Sequence, residues 1–188
     1  MRNRNIDIFI SGAGPAGLLA SLSFASLGYS VFCVDPKKPV TQSNEDGADL
    51  RTTAFLQPAK TFMASLGLWE KLEPFAIPME IMRIIDSAGD NWPPIETTAK
   101  DFLASEISDL PFGWNIPNWL LRRTLLENAM EYSNLELKFG LTTSSIIRRD
   151  DAAFVYLNDG SQIKSKLIIG ADGRDSLVRD KSQIKISK

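Results

Sequence analysis

The sequence predicts an α/β fold built on a parallel β-sheet, with a β-rich final third, on three observations. An apolar run, "IDIFIS", ends in glycines at the spacing G-x-G-x-x-G: Gly12, Gly14 and Gly17. A helix-like stretch and a second apolar run, "YSVFCVD", complete a βαβ unit of about 30 residues. The last third carries strand-like runs around a hairpin turn at Asn158, Asp159 and Gly160.

Taken in order, residues 5–11 alternate little and are rich in Ile and Phe, the pattern of a strand buried on both faces. "GPAGLLASLSFASLG" reads as a helix, with Leu18, Leu22, Ala25 and Leu27 as its apolar side and Gly28 as its stop. Residues 36–49 are polar and read as an exposed loop. "RTTAFLQPAKTFMASLGLWEKL" has helical spacing at Phe62, Leu66 and Trp69. Residues 79–95 read as a hairpin turning at "AGDN", and "ETTAKDFLASEISDLPFGWN" as irregular. "NWLLRRTLLENAMEYS" is an amphipathic helix with Leu121, Leu125 and Met130 near one face. "LELKFGLTTSSIIRRD" and "AAFVYL" are strands, and "SQIKSKLIIGADG" returns as a strand ending in glycines around Asp172. "RDSLVRD" begins a helix and "KSQIKISK" trails into a strand-like tail. No internal repeat or low-complexity segment is present.

The 188 residues suffice for one domain, or one domain and part of another, and 44% hydrophobic content supports a core. A net charge of -2 with no Lys/Arg-rich block argues against nucleic acid as a partner. Cys33 is the lone cysteine, which excludes a disulfide framework and reads as a small buried hydrophobe in a reducing compartment. The chain has no histidine, which removes Ser-His and Cys-His pairs, histidine-bound zinc and imidazole acid/base work. No metal ligand set and no protein catalytic residue is singled out; a cofactor is expected to carry the chemistry. "MRNRN" leads into a strand-like run rather than a signal segment, and no stretch approaches the roughly 18 apolar residues of a membrane span. A soluble cytoplasmic chain is the expectation, with peripheral contact to the inner membrane left open.

In a nucleotide-binding βαβ unit, Gly12 permits the tight turn, Gly14 admits the pyrophosphate and Gly17 lets helix and strand pack closely. The helix N-terminus then offers N–H groups and a partial positive charge to phosphates. Pro15 suits the first helical position, and the small Ala16 follows it. Asp35 stands at the end of the second strand, about 20 residues beyond the glycines, where a carboxylate accepts ribose hydroxyls and disfavours a 2′-phosphate. The bland alternative for the glycines is an ordinary tight corner.

"DLRTTAFLQPAKTFMASLGLW" and "LIIGADGRDSLVRD" resemble segments of flavoprotein monooxygenases of the para-hydroxybenzoate hydroxylase type, and "GWNIPNWLLRRTLLENA" resembles the stretch between them. Among these the sequence is most similar to the hydroxylases of ubiquinone biosynthesis. The resemblance covers nearly the whole chain, in family order. It implies a Rossmann-like FAD-binding domain, its parallel sheet joined to a β-meander, with part of a mixed-sheet substrate domain. The implied boundaries are 1–78 and 117–188 for the two parts of the FAD domain and 79–116 for the substrate-domain insertion.

The resemblance also implies site roles. Gly12, Gly14 and Gly17, with Pro15 and Ala16, would hold the FAD pyrophosphate, and Asp35 the ribose, where the family more often has Glu. Arg51 would lie along the phosphate and ribityl region, and Asn118 near the isoalloxazine or ribityl chain. Asp172 and Gly173 would approach the cofactor, with Arg174 stabilising that corner. The plainer readings are a surface ion pair for Arg51 and a helix cap for Asp172, the latter compatible with a cofactor role. The four tryptophans, Trp69, Trp92, Trp114 and Trp119, read as core or interface rather than a stacking platform.

The implied reaction is reduction of FAD by NAD(P)H acting as a transient donor, formation of a flavin C4a-hydroperoxide, and hydroxylation of an aromatic ring. Candidate partners are a polyprenylated phenol-like substrate and a ubiquinone-biosynthesis complex. Family members are longer and carry a later Gly-Asp segment; Gly89-Asp90, in a hairpin turn, reads as a decoy for it. The expectation is an N-terminal portion only, either a piece of a longer protein or a short protein that binds a nucleotide without oxygenating anything. Alternatives on the same fold are an isoprenoid-chain reductase and a halogenase; the alternative from another functional class is a truncated, catalytically incompetent nucleotide-binding or assembly protein.

Overall fold

The computed structural model describes residues 3–89 and 95–185. Strand β1 (Asn3–Ser11), helix α1 (Pro15–Ser26) and strand β2 (Val31–Asp35) form the expected βαβ unit. The strands are parallel, from Ile8 opposite Val31 to Ser11 opposite Val34. Leu18, Leu22 and Ala25 are buried along one side of α1, but Leu27 is 70% exposed. The reason is rotation: nine residues beyond Leu18, at about 100° each, Leu27 stands on the opposite side of the helix.

Strand β3 (Thr52–Leu56) precedes α2 (Gln57–Ser65) and α3 (Trp69–Leu72), where the sequence suggests a helix through Phe62, Leu66 and Trp69. Pro58 falls in the first turn of α2, and Gly67, at φ +66°, separates the two helices. Met63 is fully buried while Phe62 is 41% exposed, so Met63 takes the core position expected of Phe62, whereas Trp69 is buried as expected.

A 310 turn (Glu73–Phe75) leads to β4 (Ile77–Met79), β5 (Ile81–Ala88) and β6 (Ile95–Leu103). Strands β5 and β6 pair as an antiparallel hairpin that starts where one is expected but extends well beyond residue 95. Its turn residues Asp90 and Asn91, and with them the second member of the Gly89-Asp90 pair and Trp92, lie outside the described residues. The stretch expected to be irregular contains β6, every residue of which is exposed. A strand with solvent on both faces has no alternation to betray it.

A second 310 turn (Ala104–Glu106), β7 (Gly113–Pro117) and α4 (Asn118–Ala129) follow. Leu120, Leu121, Leu125, Leu126 and Ala129 are buried along α4, whereas Met130 lies past its end and is exposed. The chain closes with β8 (Leu135–Phe139), β9 (Thr143–Arg148), β10 (Ala153–Leu157), β11 (Gln162–Gly170) and α5 (Leu177–Lys181). "LELKFGLTTSSIIRRD" is thus two strands, broken at Gly140, whose φ is +82°. No strand follows α5 within the described residues, and 186–188 lie outside them.

The described chain divides into two compact units, Met1–Asp49 with Trp119–Lys188, and Leu50–Asn118. Residues 50–78, which the sequence groups with the first unit, cluster with the second. The first unit holds a six-stranded sheet in the order β8-β2-β1-β11-β10-β9. Its first four strands are parallel, and β11, β10 and β9 continue it as an antiparallel meander. Phe9, Phe32, Val34, Val155, Leu157 and Ile163 form a core beneath the meander, with the Phe9 and Phe32 rings stacked at 6.3 Å. The second unit holds the antiparallel sheet β3-β7-β4 and the β5-β6 hairpin. No described helix is long and apolar enough to cross a membrane.

Candidate functional site

The three glycines behave differently. Gly12 has φ +104°, and a Cβ there would stand 2.2 Å from the Ala171 carbonyl oxygen. A Cβ on Gly17 would stand 1.8 Å from the Gly12 oxygen. Both are therefore required by the close passage of the loop, α1 and the end of β11. Gly14 has an ordinary extended backbone, φ -68° and ψ 178°, and nothing lies within 4 Å of where its Cβ would be. The protein's own packing gives no reason for glycine at position 14.

Gly14 is also the N-cap of α1, and no side chain caps the helix. Pro15 occupies the first turn and Ala16 is exposed. The first-turn N–H groups of a 12-residue helix therefore end without a side-chain acceptor, an arrangement that binds anions. Asp35 lies beside this loop. Its Oδ2 accepts the Ala13 N–H at 2.7 Å and its Oδ1 accepts the Lys37 N–H at 2.8 Å. The carboxylate thus anchors the loop, and two of its roughly four lone-pair positions remain.

Two cavities share Gly14 and Asp35. One, of about 390 Å³, has apolar wall at Val34 and Leu141, buried hydroxyls at Ser11 and Thr143, and carboxylates at Asp35, Asp172 and Asp175. The other, of about 280 Å³, is lined by Lys37, Lys38 and Arg122. Arg122 also pairs with Asp49 at 3.3 Å. Phosphates are favoured on the basic side and an uncharged group on the acidic, apolar side.

Asp172 is committed largely to the chain. One oxygen accepts the Ser176 hydroxyl, and the other accepts the Leu177 and Val178 N–H groups at 2.9 and 3.1 Å. Ser176 in turn caps α5 by accepting the Arg179 N–H at 3.1 Å. Asp172 still lines the acidic cavity, with Gly173 beside it at φ +86° and Arg174 exposed. Cys33 lies behind the glycine loop, its thiol donating to the Gly12 oxygen at 3.6 Å, and burial pushes it up to about 12.

Arg51 and Asn118 lie in the other unit, next to each other: the Asn118 N–H donates to the Arg51 oxygen at 2.9 Å. The Asn118 side-chain oxygen accepts the Thr53 hydroxyl at 2.6 Å. In the same unit Trp69 and Trp114 meet edge-to-face at 5.4 Å, with Lys60 over both rings. Sequence reasoning misses Ser11, Leu141 and Thr143. The one available signal is a polar residue immediately before Gly12, where an apolar strand would continue. Among the described residues no cluster of His, Cys, Asp or Glu is placed to hold a metal ion.

Comparison with known proteins follows the same lines. The chain is 26% identical over 184 residues to the 3-demethoxyubiquinol 3-hydroxylase of Escherichia coli (strain K12), covering 98% of this chain and 45% of that protein. It is 28% identical over 182 residues to the ubiquinone hydroxylase UbiL of Rhodospirillum rubrum, covering 96% of this chain and 40% of that protein. The chain thus spans less than half the length of these relatives. Its fold matches the flavin-dependent monooxygenase PieE, solved with FAD and substrate, at a TM-score of 0.75 and 22% identity, over 97% of this chain and 33% of that one. The family model described as "FAD binding domain" matches residues 5–188, and the chain belongs to that family.

Proposed function

We propose that this chain is the FAD-binding portion of a flavin-dependent monooxygenase that hydroxylates an aromatic ring in ubiquinone biosynthesis, with NADH or NADPH as the transient donor. The observation that carries the reading is Gly14. Its glycine is unneeded by the fold, stands at an uncapped helix N-terminus and opens on two cavities of opposite charge. A dinucleotide fits that arrangement, with its pyrophosphate against Gly14 and the first turn of α1 and its nucleoside toward the acidic cavity. Asp35 keeps acceptor capacity for ribose hydroxyls while holding the loop. Gly173 lets the backbone near Asp172 come close to the cofactor, whereas Arg51 and Asn118 are proposed contacts on motif resemblance alone.

Bound FAD supplies reductive activation of oxygen; the residues of this chain bind and orient it. The aromatic substrate class and the ubiquinone role rest on the names of the relatives. Cytoplasmic location, peripheral contact with the inner membrane and membership of a biosynthetic complex belong to the same proposal. The exposed apolar residues Ile81, Met82 and Ile84 of the β5-β6 hairpin support an apolar contact there. The test is expression of the complete gene, followed by NAD(P)H-driven turnover of a polyprenylated phenol under labelled oxygen. One labelled atom on the ring is the expected result. Reduction of an isoprenoid chain, or halogenation of the ring, would transfer the protein to another activity of the same fold.

A further inference from the structure

The acidic cavity holds a feature that the pyrophosphate and ribose assignments do not use. Ser11 ends β1 and Thr143 begins β9, and their hydroxyls meet at 3.0 Å, buried at 5% and 4% exposure. Both line the cavity beside Val34 and Leu141. The pair carries two hydroxyl protons and uses one between its members, Thr143 donating to Ser11. The Ser11 backbone oxygen is engaged by the Ala171 N–H at 2.7 Å. Among the described residues the Ser11 hydroxyl proton meets no acceptor, and a buried hydroxyl proton without one is costly, so this one is matched to something that enters the cavity. The carboxylates of Asp35, Asp172 and Asp175 keep phosphate away, and the wall of Val34 and Leu141 suits a flat, uncharged ring.

We propose that the Ser11 hydroxyl, oriented by Thr143, donates a hydrogen bond to a ring nitrogen of the adenine lodged in this cavity. Ser11 is then a specificity-determining residue that selects heteroaromatic rings presenting an acceptor, with Thr143 as its positioning residue. The proposal rests on the FAD reading, which makes adenine the occupant.

The test titrates the chain with ADP and with its 1-deaza, 3-deaza and 7-deaza analogues, each of which replaces one ring nitrogen by CH. Wild type binds one analogue about tenfold more weakly than ADP, the scale of one lost hydrogen bond. Ser11→Ala binds ADP weakly by the same factor and no longer distinguishes that analogue. Thr143→Ser, which keeps a hydroxyl, retains the distinction, and Thr143→Val reduces it. Equal analogue profiles in wild type and Ser11→Ala overturn the proposal even where the variant is less stable, because the profile is a ratio within one protein. FMN displacing ADP as well as FAD does also overturns it, since the cavity then takes a flavin ring rather than adenine. Failure of wild type to bind ADP while it binds FAD overturns it too. A wild type whose bound ADP is not displaced by FAD overturns the flavin reading itself, and the proposal with it.

Discussion

The Asp35 carboxylate accepts the Ala13 N–H at 2.7 Å, tying the end of β2 to the glycine loop at the start of α1. The residue that family resemblance assigns to the ribose is therefore also the one that shapes the loop. Asp35→Ala leaves the Ala13 and Lys37 N–H groups without this acceptor, and a loss of about 1–3 kcal/mol is expected. Asp35→Asn keeps one oxygen for the loop but loses the charge, so FAD affinity falls about tenfold with a smaller loss of stability. Chemical denaturation alongside FAD titration of both variants separates the two effects. Equal loss of stability in both would mean that the carboxylate acts on the loop alone.

Gly14 and Gly17 divide the fold from the ligand. Gly17→Ala drives a methyl group to 1.8 Å from the Gly12 oxygen and is expected to cost about 3 kcal/mol or more. A Cβ at position 14 meets nothing within 4 Å and the extended backbone there accepts a β-branched residue, so the melting temperature of Gly14→Val is expected to stay near wild type while FAD binding is abolished. Thermal unfolding and FAD titration of the two variants check this. A folded Gly14→Val protein with unchanged FAD affinity would sink the pyrophosphate assignment.

Asp7 predicts a pH dependence. It accepts the Ser30 N–H and hydroxyl and the Lys166 ammonium at 3.0, 2.7 and 2.6 Å, and the hydrogen bond from Lys166 is the largest cause holding it well below its ordinary 3.8. A depressed carboxylate stabilises the fold above its unfolded value and loses that contribution as the pH falls through the folded one. Asp7→Asn is therefore less stable than wild type at neutral pH, and the gap closes as the pH drops below 3.8. Lys166 is raised by the same pair, so the gap also narrows as the pH climbs past 10.5. Denaturant unfolding of both proteins across pH measures it; a gap independent of pH would contradict the pairing.

Cys33 is expected to be inert in the folded chain, since burial pushes its thiol to about 12 and leaves almost no thiolate at neutral pH. A chromogenic disulfide reagent at pH 8 should register no thiol until denaturant is added, then one. Rapid labelling of the native protein would place Cys33 at an opening of the loop behind Gly12.

The βαβ unit is legible in the sequence because local signals and tertiary demand agree there: two apolar strands, a Pro-started helix and glycines at contacts too tight for Cβ. The β5-β6 hairpin is half legible, since "MEIMRIIDS" is apolar enough to read as a strand while β6 is solvated on both faces and carries no pattern. Asp172 shows what sequence reading cannot divide: a carboxylate after a strand and before a helix serves as cap or ligand contact, and here its bonds go to Ser176, Leu177 and Val178. Ser11 and Thr143 are illegible because their meeting depends on the meander bringing β9 back to the end of β1, a long-range event with no local trace.

The flavin site is tested most directly by an equilibrium titration of the 188-residue chain with FAD, followed by competition with NAD. Saturable FAD binding that NAD barely displaces is the expected result. A well-folded chain that binds no FAD, or that releases it to NAD at comparable concentration, would contradict a flavin site.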